Sequence, residues 1–285
     1  MSKTVISLTT IPPRIGLIRP TLESLTQQDA NIDRVILWIP RTYRRTEFGE
    51  FDIPKMPDGV EVRRCDVDYG PATKVLPAVA AYLNQDVRIL YCDDDRIYDR
   101  DWAAHLLAYS NRHPGACITH AGEVVESIAE KFAATSLWYK FLNYATFGIR
   151  SHYHRKRIRE LDPGIGLVDI CKGYGGVLVR PDFFSPAAFD IPDLLWTVDD
   201  IWLSGHLAAK GIEVWKVSRA EKAQKTDAAV INSLIDYIYR EHAREQANMA
   251  CIQYFREKYG IWRSDDRETD SAGRNGAGSV VAGGV

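Results

Sequence analysis

One stretch decides most of what this chain can become. Val87, Ile89, Leu90, Tyr91 and Cys92 form a short apolar run, and Asp93, Asp94 and Asp95 follow it directly. A run of that length marks a buried strand. Three adjacent unpaired carboxylates inside a strand would cost far more in desolvation than burial returns. The strand therefore ends at the triplet, where it opens to solvent or to a cation. Side chains at i and i+2 of an extended segment point the same way. Asp93 and Asp95 are thus expected to face one hard cation, with Asp94 on the other side. Oxygen ligands suit Mg²⁺ or Mn²⁺, which commonly take one or two carboxylates together with substrate phosphates. The plainer alternative is a solvated acidic turn before a helix that starts near Asp99. The strand-end position favours a ligand site, because open α/β sheets bind at the carboxyl ends of their strands.

The rest of the chain supplies the sheet. Strands are expected at Thr4–Thr9, Arg34–Ile39 and Val60–Cys65, then near Ala116–His120, after Gly176 and at Ile212–Val217. Helices are expected from Pro20 to about Gln28, over Ala72–Asn84 and from about Arg100 to Arg112. Pro77 marks a kink or a late start in the second of these. Asp199 to Lys210 reads as a helix with Asp199 as its N-cap and Gly211 as its stop. A long helix is expected over 228–259, with Ile231, Ile235, Ile238, Ile252 and Phe255 on its apolar stripe. Alternating strands and helices imply an α/β fold with a mostly parallel central sheet flanked by helices.

Residues 121–170 read as a covering flap. Its basic run, Arg150 to Arg159, is first a solvated face and second a surface for an anionic acceptor or anionic lipid heads. From Ser264 the composition is that of a disordered tail. A net charge of −2 argues against a general nucleic-acid binder. Five scattered cysteines without a C-x-x-C pair fit reduced thiols in the cytoplasm and give no zinc signature. No leader pattern and no apolar run near the roughly 20 residues of a bilayer span are present, so membrane contact is expected to be peripheral, at the inner face.

Several motifs now fall into an order that resembles a known family. The triplet Asp93–Asp95 resembles the D-x-D motif of GT-A glycosyltransferases. Gly173, Tyr174, Gly175 and Gly176 resemble their glycine-rich acceptor loop, and Val198, Asp199 and Asp200 their x-E-D motif. With Ser7 to Arg14 and Tyr69 to Lys74 added, the set is similar to bacterial family-2-like glycosyltransferases of surface-polysaccharide loci. It covers about residues 4–217.

The resemblance implies a GT-A-like (Rossmann-like) domain over 1–263, with a nucleotide-sugar half at about 1–120 and an acceptor half at about 121–263. It implies Mn²⁺ or Mg²⁺ on Asp93 and Asp95, and a nucleotide-sugar donor, a UDP-sugar favoured. The donor would be contacted by Thr9, Arg14, Lys74 and the Asp93–Asp95 triplet, with Asp66 or Asp68 at the nucleobase. It implies a saccharide or lipid-linked saccharide acceptor on the glycine loop, and Asp200, beside Asp199, as the base of an inverting transfer. The plainer alternative for Arg14 and Lys74 is a surface charge, evenly matched for Arg14, and for Asp199 and Asp200 it is a pair of carboxylates at a helix N-terminus. Two departures stand out. The usual Glu of x-E-D is Asp199, and no histidine lies where a third metal ligand is common; Arg219, Lys222 and Lys225 are there instead. Rival readings are a metal-dependent phosphohydrolase or nucleotidyltransferase, which lacks its D-x-D-x-T near the first strand, and a non-catalytic nucleotide-sugar binder. His120 is expected to be a satisfied structural histidine.

Overall fold

A computed structural model describes residues 2–45, 48, 51–135, 156, 161–162, 164–218, 223–231 and 244–263. Among them run twelve strands: β1 (Lys3–Thr9), β2 (Arg34–Pro40), β3 (Val60–Cys65), β4 (Val87–Tyr91), β5 (Arg96–Tyr98), β6 (Cys117–Thr119), β7 (Gly122–Glu123), β8 (Gly166–Val168), β9 (Ile170–Cys171), β10 (Val177–Val179), β11 (Val214–Lys216) and β12 (Ala223–Lys225). The α-helices are α1 (Arg19–Thr26), α2 (Leu76–Ala81), α3 (Trp102–Arg112), α4 (Val125–Thr135), α5 (Asp199–Ala209) and α6 (Arg244–Tyr259).

Eight strands make one sheet in the order β3-β2-β1-β4-β10-β6-β11-β8. The β1–β2, β1–β4, β2–β3 and β6–β11 pairs are parallel, while β10 runs antiparallel to both β4 and β6. The fold is thus α/β with a mixed, mostly parallel sheet.

The apolar runs form strands because both faces of the sheet are covered. Alternate residues enter opposite cores. Val5, Ile36, Trp38, Ile89, Tyr91, Val177 and Val179 pack under α2, α5 and α6, where Leu76, Trp202, Ile252 and Phe255 are buried. Ile6, Leu8, Val35, Leu37, Leu90, Cys92 and Leu178 pack under α1 and α3, against Leu22, Leu25, Trp102 and Leu106.

Some boundaries differ from expectation. The helix expected over Ala72–Asn84 is a 3₁₀ turn at Gly70–Lys74 followed by α2, so Pro77 marks a late start in the first turn. The N-cap of α5 is Val198, with no side-chain cap, because the Asp199 carboxylate turns to Lys74 instead. The helix expected from 228 is a 3₁₀ turn at Asp227–Val230 that ends in extended Ile231. Helix reappears as α6, with Ile252 and Phe255 buried as expected. Ile235, Ile238, the tail from Ser264 and all of the basic run except exposed Lys156 lie outside the described residues.

Candidate active site

The chain runs from β1 outward to β2 and β3, then returns to place β4 on the other side of β1. That reversal is a topological switch point, where loops leaving the two strands splay apart and open a crevice. A cleft of about 610 Å³ lies there, within the usual range for small-molecule sites. It is lined by Thr9, Thr10 and Arg14 after β1, by Asp93, Asp94 and Asp95 after β4, and by Asp199 and Asp200 of α5.

The triplet does not continue the strand. β4 ends at Tyr91, and Asp94 and Asp95 lie in the turn that leads into β5. The expected i, i+2 geometry of an extended segment is therefore absent, and each carboxylate has its own surroundings. Asp94 turns into the protein. It accepts from the Thr10 hydroxyl at 2.5 Å and pairs with Arg14 at 2.8 Å, while its backbone carbonyl accepts from Thr21 Oγ1. Burial pushes its pKa up and Arg14 opposes the shift.

Asp93 pairs with Lys74 Nζ at 2.6 Å. Burial works against its charge, but the ammonium outweighs that and holds its pKa below the ordinary value. Asp95 lies between Arg14 Nη1 at 3.6 Å and Arg96 Nε at 3.4 Å, and its buried Oδ1 accepts no hydrogen bond. Burial, with the charges of Asp93 and Asp94, pushes its pKa up to about 6. That oxygen has only the Arg96 guanidinium near it among the described residues, at 3.4 Å, and the Asp93 charge is felt there. Among the described residues no group of three or more His, Cys, Asp or Glu converges as a metal cage. The described side chains do not by themselves build a metal site.

Lys74 joins this strand end to α5. Its backbone carbonyl accepts from Ser7 Oγ of β1 at 2.6 Å, and its ammonium reaches Asp199 at 2.7 Å and Asp200 at 4.0 Å. Burial opposes the ammonium, and Asp199, Asp93 and Asp200 together raise its pKa well above the ordinary value. Asp200 also accepts from the Gly173 N–H at 3.0 Å. Burial first, and the Asp199 charge second, push its pKa up to about 6. A largely buried carboxylate with a raised pKa on the wall of a cleft is able to exchange a proton near neutral pH.

The glycine loop sits beneath this cluster. Only Tyr174 of its four residues lines the cleft, with Arg96 stacked 5.0 Å from its ring. The glycines instead answer to packing. A Cβ on Gly173 would collide with Lys74 and Asp93, one on Gly175 with Ala121, and one on Gly176 with Trp102. Gly176 also has φ +87°, and the Trp102 indole N–H donates to the Gly175 carbonyl at 2.8 Å. Asp66 is 87% exposed, pairs with Arg41 and does not line the cleft. Asp68 does line it, but its oxygens already accept from the Arg44 and Gly70 N–H groups. Lys225 is exposed on β12 and lies outside the cleft; Arg219 and Lys222 are outside the described residues. His120 is buried and meets His105 at 2.7 Å.

Several lining residues carry no sequence signal. Tyr43, Phe48 and Trp196 supply rings near Asp68, and Glu123, Lys131, Lys172 and Arg244 supply charge. Only Lys172 and Arg96 adjoin a motif and were findable from it.

No family model matches the sequence, and no curated protein matches it. Among solved structures, the fold is similar to a mannosyltransferase, PcManGT from Pyrobaculum calidifontis in complex with GDP-Man and Mn²⁺, at 11% identity and a TM-score of 0.46 over 98% of this chain and 76% of that one. It is also similar to S. aureus TarS 1-349, at 13% identity and a TM-score of 0.46 over 93% of this chain and 74% of that one.

Proposed function

We propose that this chain is a GT-A-like glycosyltransferase, a single domain over 1–263. It moves a sugar from a nucleotide-sugar, a UDP-sugar favoured, to a hydroxyl of a saccharide or lipid-linked saccharide, with inversion, in surface-polysaccharide or glycoconjugate synthesis. One observation carries the reading. A single buried ammonium, Lys74, holds the strand-end carboxylate Asp93 at 2.6 Å and stands 4.0 Å from Asp200, so a donor-side carboxylate and a base share one cleft.

In an inverting transfer the acceptor oxygen attacks the anomeric carbon as the bond to the diphosphate breaks, and the base takes the hydroxyl proton. Asp200 is suited to that task, since the Gly173 N–H fixes its orientation and burial raises its basicity. Asp199, neutralised by Lys74, is left to anchor the helix. Asp93 and Asp95 would hold Mn²⁺ or Mg²⁺, which supplies Lewis-acid neutralisation of the leaving diphosphate. Tyr98 fixes that corner: its hydroxyl bonds both the N–H and the carbonyl of Asp93 and reaches the Tyr174 carbonyl.

The test is a thermal-shift panel of nucleotide-sugars with and without Mn²⁺, since a ligand of the native state raises apparent stability. A UDP-sugar with Mn²⁺ should stabilise the wild type and Asp200→Asn alike, and Asp95→Ala should lose the Mn²⁺-dependent part. Transfer by Asp200→Asn should fall about 10²–10⁴-fold. Wild-type transfer should fall as the pH drops through about 6, because protonated Asp200 cannot accept a proton. Donor binding without any turnover, or full turnover in Asp200→Asn, would move the chain to the binding-protein reading or remove Asp200 from the chemistry.

A further inference from the structure

Asp200 is held at two points, and one of them lies outside the cleft. Segment 170–173 passes beside the first turn of α5. Ile170 and Cys171 are strand and Lys172 is extended, so the N–H groups of Cys171 and Gly173 point one way and that of Lys172 the other. The Lys172 N–H accordingly donates to the Ala121 carbonyl at 2.8 Å. The other two face α5. The Gly173 N–H donates to Asp200 Oδ1 at 3.0 Å. The Cys171 N–H donates to Ser204 Oγ at 3.0 Å, and that hydroxyl donates to the Asp200 carbonyl at 2.6 Å. One extended segment thus grips both the side chain and the backbone of the same aspartate. Ser204 is fully buried. The Cys171 thiol lies 3.3 Å from its oxygen and meets the Tyr91 hydroxyl, at the end of β4, at 3.2 Å.

A serine that bonds back to the carbonyl four residues earlier adds nothing to the stability of its helix. Its place here is explained by Lys74. That ammonium draws Asp199 in to 2.7 Å, yet it stands 4.0 Å from Asp200 Oδ1, the oxygen that Gly173 holds. A buried ammonium attracts both carboxylates, and a small rotation of the first turn would bring Asp200 onto it as well. We propose that Ser204 is a positioning residue: its bridge to Cys171 fixes the first turn of α5, so that Asp199 pairs with Lys74 while Asp200 stays on the Gly173 N–H and faces the cleft. The proposal rests on the transfer reading for what Asp200 does there, but the bridge itself does not. Without the hydroxyl, the Cys171 N–H loses its acceptor, the turn is released, and Asp200 closes on Lys74 as a further ion pair. A carboxylate so paired gives up basicity. Transfer then falls although no group that touches a substrate has changed.

The experiment compares Ser204→Ala, Ser204→Cys and Ser204→Thr with wild type in the full-length protein, each with and without Asp200→Asn. Two readouts are taken. One is the titration of the Asp200 carboxyl by carbon NMR, with no ligand. The other is UDP release from UDP-glucose, UDP-galactose and UDP-N-acetylglucosamine with Mn²⁺, using the free sugars as acceptors, followed against pH. In Ser204→Ala the Asp200 titration should move below about 6, because a nearer ammonium favours the charged form while the other charges that face it, Asp199, Lys172 and Asp93, are unaltered. UDP release at neutral pH should fall about tenfold, as for one lost hydrogen bond, and its acid limb should move down with the carboxyl. Asp200→Asn should erase the difference between serine and alanine, since the two residues act as one unit. Ser204→Thr keeps the hydroxyl and should restore both readouts even where its added methyl lowers the urea midpoint, which separates positioning from stability. Ser204→Cys, similar in size with a weaker donor, should fall between and reports where Ser204→Ala folds poorly. An Asp200 titration that does not move in Ser204→Ala or Ser204→Cys overturns the proposal, and so does an equal loss of UDP release in the Asp200→Asn background. If the titration moves while no form turns over a UDP-sugar, the transfer reading falls and the positioning stands.

Discussion

Two strands of this sheet end in aspartates, and the two ends differ. β3 runs into Asp66 and Asp68, and β4 runs into Asp93, Asp94 and Asp95. β3 is an edge strand, while β4 lies between β1 and β10. At the edge, Asp66 projects into solvent with only Arg41 beside it, and Asp68 folds back onto two backbone N–H groups. At the centre, loops from both sides close over the carboxylates, and Lys74, Arg14, Arg96 and Thr10 are drawn in to compensate them. An acidic strand end becomes a charged site only where its neighbours shut out enough water to make pairing compulsory.

Three substitutions grade that contrast. Lys74→Met should have the largest effect, because it leaves buried Asp199 without its cation and partly exposed Asp93 without its partner. Breaking a buried ion pair from one side costs about 3–5 kcal/mol, and the urea midpoint should drop accordingly with little change in slope. A loss under about 1 kcal/mol would mean that water reaches this cluster freely. Asp68→Ala should come next, at about 1–3 kcal/mol, since two backbone N–H groups lose their acceptor. Its measurement by the same titration says whether the edge loop is held by that carboxylate. Asp66→Ala should leave the midpoint where it was, because an exposed ion pair contributes little. A clear loss there would erase the distinction between edge and centre.

The sequence made the central strands legible because both of their faces are buried. Val87 to Cys92 and Arg34 to Ile39 are near-continuous apolar runs for that reason. It did not show β10 as antiparallel, since a three-residue strand carries no mark of direction. β7 and β9, of two residues each, are too short for any period. The triplet was visible as chemistry, but its geometry was not, because the turn at Asp94 is set by Thr10, Thr21 and Arg14, which are 73 to 84 positions away. The glycine loop was visible as a pattern, yet the neighbour that excludes a side chain at Gly176 is Trp102, from another helix. The charged residues on the far side of the cleft share no pattern, although Lys172 adjoins the glycine loop. Glu123, Lys131, Lys172 and Arg244 come from four separate segments, and only the folded chain gathers them.

The ion pair of Arg14 carries a consequence for how this protein is born. Arg14 Nε donates to the carbonyl of Ile231 at 2.8 Å, a bond that spans 217 positions. Thr226 N–H caps the Asp95 carbonyl beside it. At a synthesis rate of about 5–20 residues per second, roughly 10–40 s pass between the making of one partner and the other. Through that interval the emerging chain has its acidic turn but lacks the segment that covers it. The order of translation makes this corner one of the last to be completed.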